Sequence, residues 1–61
     1  MPKYIVIMNV WEEPDVDYGD REFNDYAEAV SYLENTLGLT KAIGEEMWFN
    51  SAEKYTIFET E

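Results

Sequence analysis

The chain has no cysteine and no histidine, and it carries only four lysines and arginines among 61 residues. Without cysteine there are no disulfides, no thiolate metal sites and no thiol chemistry, so nothing marks an oxidising compartment and the cytoplasm is the expected location. Without histidine the usual proton shuttle near neutral pH is missing. The remaining enzyme designs are also poorly supplied. Ser31, Ser51 and the threonines have no evident base, and Glu12-Glu13 or Glu45-Glu46 could act as a hydrolytic pair only across a pocket. A catalytic role is therefore not expected, nor is a cofactor. Long apolar runs are absent as well. The stretch Met1 to Val10 has too few apolar residues to span a bilayer, and it lacks the small-residue cleavage site of a signal peptide, so it reads as a strand.

What the chain has in excess is acid. Fourteen Asp and Glu residues give a formal net charge of -10 and a pI near 4.1. Such a field repels nucleic acid and anionic membrane, so direct binding to either is disfavoured and partners are expected to be basic. The 46% hydrophobic and 16% aromatic content is far from the composition of a disordered protein. One domain over residues 1–61 is the only organisation this length allows, and it is small enough that self-association would help it fold.

Apolar residues occupy both alternating faces from Lys3 to Val10, with Ile5 and Ile7 on one and Tyr4, Val6, Met8 and Val10 on the other, as in an inner strand. Trp11 to Glu22 mixes Pro14 and Gly19 with acids and shows neither period, which predicts a long loop. A helix follows. Asn24 or Asp25 can cap it, Asp25 and Glu28 are spaced as in a capping box, and Gly38 can close it in the left-handed conformation. Its core stripe is Tyr26, Ala29, Val30, Leu33 and Leu37, leaving Glu28, Ser31, Glu34 and Asn35 to water. After a connector from Leu39 to Gly44, residues Glu45 to Asn50 and Lys54 to Glu61 read as a hairpin around Asn50-Ser51-Ala52-Glu53. The expected fold is α+β, in the order β-α-β-β, a three-stranded sheet with one helix packed on one face and a right-handed strand-helix-strand crossover. Its open face, with candidates Tyr4, Val6, Met8, Trp48 and Phe58, would be hidden in a homodimer or against a partner.

A calcium loop needs oxygen ligands at its first, third and fifth positions, glycine at the sixth and glutamate at the twelfth. Counting from Asp15, those last three positions fall on Gly19, Asp20 and Tyr26, so no metal site is expected. The charge distribution says more. Glu12, Glu13, Asp15, Asp17, Asp20, Glu22, Asp25, Glu28 and Glu34 crowd one stretch against Arg21 alone. In an extended segment, alternate side chains such as Asp15 and Asp17 stand about 6.6 Å apart, a row of separated anions. Concentrated like charge opposes folding, so a small domain that keeps it can be using the field. The plainer reading is that the acids keep an aromatic-rich surface soluble. Among the aromatics nearby, Trp11, Phe23 and Tyr26 are expected to pack against the fold, leaving Tyr18 as an exposed contact.

On size, charge and lack of catalytic residues, the whole chain resembles the small acidic DNA-mimic inhibitors that viruses of bacteria direct at host DNA-binding proteins. These inhibitors share no sequence motif. The resemblance implies a phage protein acting in host takeover, binding the nucleic-acid site of a basic bacterial protein through Glu12, Glu13, Asp15, Asp17, Tyr18, Asp20, Glu22, Asp25, Glu28 and Glu34. A histone-like nucleoid-associated protein is the target best suited to a homodimer presenting acids from both subunits. The alternative is a structural or regulatory interaction module that binds through its open sheet face, with charge serving solubility alone.

Overall fold

The computed structural model describes residues 2–60; Met1 and Glu61, the outermost residues of the expected first and last strands, lie outside it. The expected β-α-β-β arrangement is corrected. Five antiparallel strands form one sheet in the order β2-β1-β5-β4-β3, and one short helix covers one face. The strands are β1 (Lys3–Val10), β2 (Glu13–Phe23), β3 (Thr40–Lys41), β4 (Trp48–Phe49) and β5 (Glu53–Thr60). Helix α1 (Tyr26–Ser31) runs on into a π-helical turn at Tyr32–Thr36. With β1 and β5 antiparallel, the sheet has no parallel crossover, so the handedness rule has nothing to act on.

The largest departure is the segment expected to be a loop. It folds back from the Trp11-Glu12 turn and pairs with β1, Tyr4 opposite Phe23 and Val6 opposite Arg21. Low strand propensity in Glu13–Phe23 is overridden because β1, apolar on both faces, needs a partner on each edge. The pairing is irregular. Met8 faces Tyr18 and Val10 faces Glu13, so the intervening residues of β2 outnumber those of β1 and bulge outward. The expected turn at residues 50–53 forms: the Asn50 side-chain oxygen accepts from the backbone N–H of Ala52 at 2.8 Å and of Glu53 at 2.7 Å.

Asp25 caps α1, its side chain accepting from the N–H of Ala27. Gly38 ends the helical segment at φ 65°, and the N–H of Leu39 then reaches the carbonyl of Leu33 at 3.0 Å. This bond reaches one residue further back than the 6→1 bond of a Schellman motif, as the extra residue of the π turn requires, and the positive φ at its end favours glycine. The π turn adds one residue to the coil. The N–H of Leu37 bonds to the carbonyl of Tyr32, which rotates Leu37 outward to 37% exposure and leaves Leu39 buried.

The core is Val6, Ala29, Leu33, Leu39, Trp48 and Tyr55, with Tyr4, Met8, Phe23, Val30, Tyr32 and Ile57 packed against it. This composition corrects the assignment of sheet faces. Tyr4, Val6, Met8 and Trp48 lie beneath the helix. The open face is formed by Ile5 and Ile7 with their cross-strand partners Phe58 and Thr56, and of the expected candidates only Phe58 belongs there, 61% exposed. Alternation could not choose the side, because both faces of β1 are apolar.

Candidate functional site: an acidic edge strand

Strand β2 is the outer strand at one end of the sheet, and nearly all of it is exposed. Glu13, Asp15, Asp17, Asp20 and Glu22 therefore project from a paired strand, not from the expected loop; Glu12 sits in the turn just before it. Tyr18, read as an exposed contact, is 42% exposed on the same strand.

Several acids are held by donors from other parts of the fold. Asn9, buried on β1, donates to the carbonyl of Val16 at 2.8 Å and to the Asp17 carboxylate at 2.5 Å, with a longer contact to the carbonyl of Pro14. One amide thus secures the bulge and aims an acid. Tyr32, in the π turn, donates its hydroxyl to Asp20 at 2.7 Å, and Lys3 pairs with Glu22 at 3.5 Å. Beyond β2, the buried Trp48 donates its indole N–H to Glu34 at 2.8 Å. The Tyr26 hydroxyl donates to Glu46 in the β3–β4 connection. Glu34 was expected simply to face water; it is exposed yet tied to the core. Among the described residues, Glu12, Glu13, Asp15 and Glu28 have no side-chain hydrogen bond or ion pair.

Neutral donors hold most of these carboxylates, so their negative charge is fixed in place without being cancelled. The tyrosines register the arrangement. The hydrogen bond to Glu46, aided by burial, pushes the Tyr26 phenol up to about 12. The Asp20 carboxylate raises that of Tyr32 in the same way, and Tyr55 is raised chiefly by burial.

The few cations are occupied. Arg21 lies over the rings of Phe23 and Tyr32, 5.7 Å and 5.3 Å from their centroids. Lys41 lies over Trp48 and Lys54 over Trp11. Trp11 covers one end of the sheet, as expected, donating its indole N–H to the carbonyl of Asn50 at 2.9 Å, though it stays 41% exposed. The sequence points to the acids of β2. It does not point to Asn9 or Glu46, since a lone Asn in an apolar strand and one acid in a connector carry no pattern.

Among the described residues no three acids gather as a metal cage requires, and no helix is long and apolar enough to cross a membrane. No family model matches the chain, and no curated protein or solved structure is similar to it.

Proposed function

We propose that this protein is a non-enzymatic acidic inhibitor that occupies the nucleic-acid site of a basic DNA-binding protein by presenting carboxylates in place of phosphates. The observation that carries this reading is the anchored acidic strand. Asp17, Asp20 and Glu22 stand on β2 and are each held by a donor from outside it, Asn9 and Lys3 on β1 and Tyr32 in the π turn. A preordered array loses less freedom on binding than acids on a loose loop would. A groove that gains affinity by releasing counterions from DNA is attracted to such an array for the same reason. The expected target class is a histone-like nucleoid protein in the cytoplasm of a bacterial host.

The test is competitive displacement. A fluorescent DNA duplex bound to a histone-like nucleoid protein is titrated with this chain and followed by anisotropy. Release of the duplex is expected, falling steeply as salt rises. A chain carrying Asp15→Lys, Asp17→Lys, Asp20→Lys and Glu22→Lys should release none while its circular dichroism stays native. Failure of the native chain on that protein, and on DNA-binding proteins captured from a bacterial lysate, would return these acids to solubility and to protection of an exposed strand edge. The open face supports a second reading, an interaction module, because it leaves Phe58 largely uncovered beside Ile5. Binding by that route would hardly respond to salt.

A further inference from the structure

The open face of the sheet differs from the rest of this acidic molecule. Cross-strand partners share a face. Ile5 stands with Phe58, Ile7 with Thr56, and Asn9 with Lys54, while Lys3 pairs with Glu22 at the opposite end. Two of the four basic residues therefore flank an apolar centre. Beside that centre lies a shallow groove lined by Ile5, Gly19, Asp20, Arg21 and Glu22. It opens where Gly19, the partner of Ile7, has no side chain, and a β-carbon there would meet nothing within 4 Å.

We propose that a second copy of this chain covers this face, related by a two-fold axis lying along β1. Rotation about that axis carries β5 of one copy over β2 of the other, because the two strands flank β1 about 4.8 Å to either side. Phe58, level with Ile5 and so with Glu22 of β2, is carried onto the partner's groove at the end lined by Ile5 and Glu22, two residues along β1 from the level of Gly19. Lys54, level with Asn9, is carried onto the partner's bulge at Asp15 and Asp17, which Asn9 anchors. Each copy thus offers one aromatic knob, one matching hole and one cation set against the acids of the other. This is the self-complementarity of an isologous interface, built as aligned sheet packing. The route through the β2 edge is closed by the repulsion of Glu13, Asp15, Asp17, Asp20 and Glu22 against the same row in a second copy. This dimer engages Asp15 and Asp17, two of the acids that the proposed function gives to the partner, so the two readings share those residues.

Sedimentation equilibrium of the full chain from micromolar to millimolar concentration tests it, and a reversible dimer is expected. Phe58→Ser and Gly19→Leu should each weaken the dimer about tenfold or more, as expected for a central anchor and its pocket, while circular dichroism confirms that both variants fold. Lys54→Glu should weaken it too, and adding Asp15→Lys to that variant should restore it. A monomer at all concentrations, or a dimer indifferent to both Phe58→Ser and Gly19→Leu, would overturn the proposal.

Discussion

Asn9 shows how much structure one polar side chain can organise. Among the described residues it is the buried polar one, 5% exposed, and its amide joins β1 to three successive features of the β2 bulge. Replacing it with alanine leaves the carbonyl of Val16 and the Asp17 carboxylate without their donor. Asn9→Ala is expected to lower the unfolding free energy by about 1–3 kcal/mol, read from the urea midpoint. Amide exchange should quicken in residues 14–17 before it changes elsewhere. At the core, Leu33→Ala removes a side chain that is fully buried between helix and sheet, at an expected cost of about 2–5 kcal/mol. For a domain of this size that approaches the whole stability, so the variant should be largely unfolded by circular dichroism.

At the scale of elements, the helix is tied to the sheet margin by two phenols, Tyr26 to Glu46 and Tyr32 to Asp20. Both phenols hold their protons more firmly in the folded chain than in the unfolded one. Their contribution to stability is therefore complete below the ordinary tyrosine value of 10 and is lost as pH climbs past it, through about 12 for Tyr26. Urea midpoints should fall across that window. In the Tyr26→Phe, Tyr32→Phe double variant the fall should be shallower, leaving the part due to Tyr55. An equally steep fall would place the titration elsewhere.

The elements also differ in how plainly the sequence announced them. The inner position of β1, the Asp25 cap, the Gly38 closure and the turn at residues 50–53 all follow from local chemistry, and each forms. Strand β2 could not be read that way, because its residues favour turns and its existence depends on the free edge of β1. Strands β3 and β4 have two residues each, too few to show a period. Of the expected helical stripe, Ala29, Val30 and Leu33 pack on the core while Tyr26 and Leu37 stay 38% and 37% exposed; the π turn moved Leu37 out, since no residue type signals the extra residue in the coil. Of the candidate site, the acids themselves were legible; the donors that hold them come from distant parts of the chain and emerge only with the fold.

For the whole molecule, the decisive quantity is a net charge of -10 on 61 residues. Self-repulsion on that scale opposes the compact state and is screened by salt. Raising sodium chloride from about 10 mM to about 100 mM, which shortens the screening length from roughly 30 Å to roughly 10 Å, should raise the urea midpoint of the native chain. The variant with four lysines on β2 should respond far less. A flat response in the native chain would mean that the fixed carboxylates are already balanced by their donors. The order of strands has a further consequence, for the timing of assembly. Strand β1 lies between its immediate successor β2 and the last strand, β5, with Lys3 opposite Thr60. A nascent chain can close the first hairpin early, but its central strand keeps one naked edge until the final strand is made. Folding must therefore wait for contacts that span nearly the full sequence, a topology that slows the search and makes it all or none. Throughout that interval the outer side of the hairpin is the acidic one, so incomplete chains are electrostatically discouraged from sticking to one another.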